Sequence, residues 1–301
     1  MIKPEYLKKG DTIAIVAPGR KLDKDVIQYA SKVIQSWGLT VSLSRNLFSN
    51  SHSYLAGSDA ERMADFQQAL DDDRVKAIIC ARGGYGSTRI VDQLNYAEFK
   101  KHPKWIVGFS DITAFHLKLF SEGYQSIHAT MPVLFSNGNN ETSVESLHKL
   151  LFGGSDIFQV VNDGSNRAGA FSGEVVGGNL SLLVDAIGTS SQPDLTNKIL
   201  IVEEISEYLY KTDRMFMQLK RAGMLKQLGG LIIGHFTDVL DTELNFGETI
   251  KEIILRAVHE YNFPVGFNFP TGHDTPNLAW RSGGMATLEV NNTLATLIFN
   301  D

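Results

Sequence analysis

The feature that most constrains this chain is a repeated exchange of short β-branched runs for stretches with helical spacing. Thr12-Ile13-Ala14-Ile15-Val16-Ala17 stops at Pro18-Gly19. Asp23 to Trp37 then places Val26, Ile27, Ala30, Val33 and Ile34 on one helical face, Gly38 ends it, and Thr40 to Leu43 is extended again. A strand, helix, strand succession needs a crossover connection, which makes the two strands parallel. Asp59 to Leu70 (helix), Val75 to Ala81 and Trp105 to Gly108 (strands), Ser126 to Ala129 (a short strand) and Ser143 to Phe152 (helix) continue the alternation. The expectation is an α/β fold whose N-terminal domain, residues 1–155, is an open parallel sheet flanked by helices.

From Gly153 to Arg167 the chain turns polar and rich in Gly, Ser, Asn and Asp, so a linker is expected at 156–167. A smaller C-terminal α/β domain is expected over 168–301. There Gly173 to Leu183 joins a strand to a helix through Gly177-Gly178, and the strand Lys198 to Ile205 ends in two adjacent carboxylates. Tyr210 to Arg221 and Glu248 to Tyr261 read as helices, Gly230 to His235 and Pro264 to Phe269 as strands. Met285 to Val290 and Leu294 to Phe299 flank Asn291-Asn292, a hairpin signal.

Composition narrows the function. A net charge of -6 with both signs scattered along the chain offers no basic stripe for nucleic acid. The single cysteine, Cys80, excludes an internal disulfide, fits a reducing compartment, and reads as a buried strand residue rather than a nucleophile. The first ten residues do not read as a signal peptide, and no run approaches the roughly 18 apolar residues of a membrane helix. A cytoplasmic protein without a membrane partner is expected. None of the eight histidines stands in a zinc-binding spacing, so neither a metal nor a cofactor is expected.

The chemistry-bearing residues fall where strands end, the edge at which open α/β sheets build sites. In Trp105-Ile106-Val107-Gly108-Phe109-Ser110-Asp111 an apolar run stops at a serine with a glycine two residues before it, which suits a sharp strand-to-helix turn exposing the hydroxyl. Ser110 is the candidate nucleophile. The fifth position of the turn is Ile112 rather than glycine, and a plain helix N-cap by Ser110 or Asp111 is the competing reading. After the third strand, Arg82-Gly83-Gly84-Tyr85-Gly86-Ser87-Thr88-Arg89 is dense in glycine, as a phosphate cradle or an oxyanion hole requires. It lacks the Lys-Ser/Thr of a phosphate-binding loop and the third glycine of a dinucleotide fingerprint, so nucleotide binding comes second. A serine needs a base, and the base an acid; Glu203 and His273 stand at strand ends, with Glu204, Asp111 and His235 as rivals.

In Ala81-Arg82-Gly83-Gly84-Tyr85-Gly86, Gly108-Phe109-Ser110-Asp111, Gly177-Gly178-Asn179-Leu180, Val202-Glu203-Glu204 with Tyr210 to Leu219, and Gly272-His273 with Pro276-Asn277, the chain resembles the serine-type LD-carboxypeptidases that trim muropeptides and their relatives, the microcin C immunity peptidases. The segments occur in family order over nearly the whole chain. The resemblance implies Ser110 as nucleophile, Glu203 as triad acid and His273 as general base, with the amides of Gly84 and Asp111 as the oxyanion hole and the site between two domains. It also implies release of a terminal D-Ala from a murein tetrapeptide without a cofactor, and a homodimer. Arg82 and Gly83 are the candidate substrate-binding residues, with Arg82 the candidate ligand for the substrate carboxylate. The chain departs from the family at Ala279-Trp280-Arg281-Ser282-Gly283, which implies a different pocket edge. A microcin-type amidase and a small-ligand binding protein without hydrolysis are the alternatives.

Overall fold

The computed structural model describes residues 1–136, 138–154 and 157–300; the expected break at 155/156 lies outside them. The first half runs β1 (Thr12–Val16), α1 (Lys24–Ser36), β2 (Thr40–Leu43), α2 (Asp59–Asp71), β3 (Val75–Cys80), α3 (Ala97–Lys101), β4 (Trp105–Gly108), α4 (Thr113–Ser121), β5 (Ser126–His128) and α5 (Glu141–Leu151). These strands form a parallel sheet in the order β2-β1-β3-β4-β5. Both faces are covered, which explains the near-continuous apolar runs of its central strands. Ile13 and Ile15 pack with Ile27 and Ile34 of α1 on one side, while Ala14 and Val16 pack with Phe66 of α2 and Phe115 of α4 on the other. A capping box in which Ser58 and Glu61 satisfy each other's backbone amides starts α2.

The second half contains β6 (Phe158–Val161), β7 (Gly169–Asn179), α6 (Leu180–Asp185), β8 (Lys198–Ile205), α7 (Leu209–Arg221), β9 (Gly230–Thr237), α8 (Ile250–Ala257), β10 (Val265–Gly266), β11 (Trp280–Ser282), β12 (Met285–Val290) and β13 (Leu294–Phe299). Its sheet runs β10-β9-β8-β7-β12-β13-β6, parallel from β10 to β7 and antiparallel beyond. The fold is therefore α/β with two sheets, as expected, but two segments depart from the expected division. Within 156–167, expected as a linker, Phe158–Val161 is a strand paired with β13, because Phe158 is buried against the β12–β13 hairpin. More consequentially, β11 leaves the C-terminal unit and adds an antiparallel edge strand to the first sheet, pairing Trp280 with His128 and Ser282 with Ser126.

That crossing is secured by packing. The Trp280 ring stacks on His128 at 4.7 Å, its indole N–H donates to Thr271 Oγ1 at 2.9 Å, and Trp280, Arg281 and Ser282 are all buried. The divergent Ala279 to Gly283 stretch thus forms for the most part a buried edge strand of the first sheet.

Candidate active site

Strand β4 leads into a turn at which Ser110 takes φ +62°, a left-handed conformation uncommon outside glycine. This bend turns the chain from the sheet into α4. Gly108 makes it feasible: a Cβ there would stand 2.8 Å from Ile112 Cγ1. The Ile112 that replaces a glycine in the turn therefore occupies the space Gly108 leaves open. The Gly108 carbonyl accepts from the buried His116 Nε2 at 2.9 Å, while Ser126 Oγ donates to His116 Nδ1 at 2.8 Å, so the ring's tautomer follows from its partners. Burial depresses the His116 pKa to about 4, which keeps it neutral.

Across the turn lies the loop after β10. Ser110 Oγ is 3.0 Å from His273 Nε2, and His273 Nδ1 is 2.7 Å from Glu203 Oε2. With Nδ1–H donating to the carboxylate, Nε2 is left to accept the serine hydroxyl proton. Glu203 is fully buried at the end of β8, and Gly272 lets the histidine loop lie directly on it: at φ +119°, a Cβ on Gly272 would be 2.8 Å from Glu203 Cβ. The imidazole also rests against the Phe109 ring at 4.9 Å. Burial by itself would lower the His273 pKa, but the charge of Glu203 and the hydrogen bond to it outweigh burial and hold it above the ordinary value.

The rivals are occupied elsewhere. Glu204 accepts from Asn179 Nδ2 at 2.9 Å and from the Ser181 amide and hydroxyl at 2.8 and 2.7 Å, bracing the start of α6; burial raises its pKa. Asp111 accepts from the Ser87 amide and hydroxyl at 3.0 and 2.7 Å, and burial raises it likewise. His235 accepts from the Asp274 amide at 3.3 Å, alongside the histidine loop and outside the Ser110–His273–Glu203 chain.

The glycine-rich loop lies against the serine turn. A Cβ on Gly83 would come within 3.3 Å of the Asp111 amide nitrogen, and the Arg20 amide donates to the Gly83 carbonyl at 3.1 Å. Arg62, buried in α2, donates to the carbonyls of Pro18 and Gly86 and to Asp59. Gly84, next along the loop, is exposed.

Residues 13–129 match the model of the LD-carboxypeptidase N-terminal domain, and residues 172–288 that of its C-terminal domain. The chain belongs to the LD-carboxypeptidase family. Members are serine-type carboxypeptidases, and this one is a hydrolase of that type. It is 32% identical to the probable murein peptide carboxypeptidase of Bacillus subtilis, over 98% of this chain and 94% of that protein. The crystal structure of muramoyltetrapeptide carboxypeptidase from Oxalobacter formigenes superposes with a TM-score of 0.88 at 29% identity, covering 96% of this chain and 99% of that one. An MccF-like protein from Bacillus anthracis has the same fold, with a TM-score of 0.86 at 24% identity and full coverage of both chains.

Several residues that build this candidate site carry no sequence signal that singles them out. Arg62 clamps a loop far from it in sequence, and Asn277 Oδ1 receives the Gly272 amide at 3.0 Å only because the histidine loop folds back. Ser87 lies within the glycine-rich loop, yet its partner Asp111 stands in the turn after β4. Arg82 sits near the loop's start, its guanidinium donating to the Lys21 carbonyl at 3.1 Å.

Proposed function

We propose that this chain is a cytoplasmic carboxypeptidase that hydrolyses the L–D peptide bond of murein tetrapeptides and releases the terminal D-Ala, as part of peptidoglycan recycling. The observation that carries the reading is the hydrogen-bonded chain from Ser110 through His273 to Glu203. Ser110 Oγ attacks the scissile carbonyl while its proton passes to His273 Nε2, and Glu203 stabilises the imidazolium that forms. The tetrahedral oxyanion is received by the amides of Gly84 and Asp111; their proximity, through Gly83, supports this assignment. His273 then gives its proton to the departing amine, leaving an acyl-enzyme on Ser110. Water, activated by the same histidine, attacks the ester, releases the tripeptide and restores the hydroxyl. Arg82 pairs with the substrate's carboxylate; its guanidinium lacks a carboxylate partner among the described residues.

The names of the B. subtilis and O. formigenes relatives support a murein peptide as substrate. A lone cysteine, buried in β3, is compatible with a reducing compartment. No described helix is long and apolar enough to cross a membrane. The family resemblance supports a homodimer, which sedimentation would measure.

The test is a side-by-side assay of a murein tetrapeptide and an acyl-sulfamoyl adenylate, with the wild type and Ser110→Ala. The expected result is D-Ala release that Ser110→Ala abolishes while substrate binding persists. Preferential cleavage of the adenylate would favour a microcin-type amidase. Tight nucleotide binding without hydrolysis of either compound would favour a binding protein and overturn the peptidase reading.

A further inference from the structure

In the first sheet the strand order reverses direction between β1 and β3, because β1 is followed outward by β2 while β3 leads on to β4 and β5. Loops leaving such neighbouring strands diverge and open a crevice at the carboxyl edge, the usual position of a ligand site in an open α/β sheet. The crevice here measures ≈ 380 Å³. Its walls are the loop after β1, with Arg20, Lys21 and Asp23, the start of the loop after β3, with Arg82, and the segment containing Phe48 and Tyr54. Three cations thus face one carboxylate.

The two arginines are free to take a ligand. Arg20 forms no ion pair among the described residues; its guanidinium lies over the Tyr54 ring at 4.7 Å, a contact that orients it without neutralising it. Among the described residues, Arg82 donates only to the Lys21 carbonyl. Burial lowers the Arg82 pKa, and the next contribution is the like charge of Arg20, so the two guanidinia sense one another across the crevice. The crevice also abuts the serine turn. Arg20 is so closely applied to the glycine-rich loop that a Cβ on Gly84 would lie only 2.3 Å from Arg20 Cδ, and Gly83 reaches the Asp111 amide.

We propose that Arg20 and Arg82 together form a two-guanidinium site that takes the free terminal carboxylate of the substrate, so that the enzyme removes a terminal residue and spares internal bonds. This rests on the peptidase reading and adds Arg20, with Tyr54 as its platform, to the specificity determinants. Planar guanidinium forks suit a carboxylate, and a second cation compensates for the exposure of the site.

The experiment compares a tetrapeptide bearing a free terminal carboxylate with its terminal amide, and with one amidated only at the diamino acid's side-chain carboxylate. The wild type should show a KM raised on the order of tenfold to a hundredfold by terminal amidation and little changed by side-chain amidation. Arg20→Ala should raise KM for the free acid to a similar extent, with a much smaller change in kcat, and add little to the penalty for the terminal amide. Arg20→Lys should restore only part of the loss. The proposal is overturned if the wild type treats acid and terminal amide alike, if only side-chain amidation matters, or if Arg20→Ala penalises acid and amide equally, which would make Arg20 a support for the loop. Were the wild type to cleave no tetrapeptide, the peptidase reading would fail separately. Titration of the same acid and terminal amide into Ser110→Ala would still judge the crevice, with selective binding of the acid upholding it and equal or absent binding overturning it.

Discussion

Ser110 and His273 face each other at 3.0 Å from two sheets, and the two halves hold them by different means. On the first sheet the constraint is in the backbone: a left-handed residue, a Gly108 with no room for a Cβ, and a carbonyl pinned by a neutral His116. On the second it lies in side chains and in an anchor: the imidazole is turned by Glu203, and the loop carrying it is tied at its far end to the first sheet through β11. Position imposed by the backbone is insensitive to charge, whereas position imposed by a carboxylate and a docked strand responds to charge and to packing. Perturbations of the two sides should therefore leave different signatures.

The largest effect is expected from Glu203→Gln, which keeps the shape but removes the charge that sets the His273 tautomer; kcat should fall by about ten-thousandfold with little change in secondary structure by circular dichroism. Glu204→Gln gives the contrast. It weakens a buried bracket and should cost about 1–3 kcal/mol in urea unfolding, with kcat staying near the wild-type value. Comparable kcat losses in the two variants would erase the distinction drawn between adjacent carboxylates.

Trp280→Ala removes the side chain that docks β11 against His128 and should cost about 3–5 kcal/mol in the same unfolding measurement. If the anchor orients the base, kcat should also fall at temperatures where the variant is fully folded; an unchanged kcat would show that Glu203 alone suffices. Gly108→Ala strains the other side, forcing a Cβ onto Ile112, and should cost about 1–3 kcal/mol. A melting temperature equal to the wild type's would show that the turn yields easily.

The smallest effect is in pH dependence. His273 must be neutral to accept a proton and its pKa is raised, so kcat/KM should climb with pH through a midpoint above the ordinary histidine value of about 6.5. Glu204 adds to the raising, so Glu204→Gln should shift that midpoint slightly downward. A midpoint at or below the ordinary value in the wild type would argue that the Glu203 charge does not reach the ring.

The same contrast explains what could be read beforehand. Strand ends were legible because buried parallel strands are continuous apolar runs that halt at small or polar residues, and this places Ser110, Glu203, His273 and the Gly83-Gly84 loop on the carboxyl edges. The rivalry of Glu203 with Glu204 could not be resolved from spacing alone, since both end β8 and only three-dimensional partners separate them. β11 was missed because Trp280-Arg281-Ser282 is too short for a periodic signal and its partner β5 belongs to the other half of the chain. β6 hid in a polar stretch for a similar reason, having one neighbour and two exposed positions. Arg62 shows the limit most plainly: a buried arginine in the first turn of α2 gives no local sign that it grips carbonyls of two distant loops.

The strand swap at Trp280 to Ser282 has a bearing on biosynthesis. An unpaired β5 is an open sheet margin, available to other chains until β11, from the other half of the chain, has been made and has docked. A polypeptide that stops short of β11 keeps the Glu203 contact to the imidazole but loses the strand that ties the histidine loop to the first sheet, so an interrupted product carries an open sheet margin and is a hazard for aggregation.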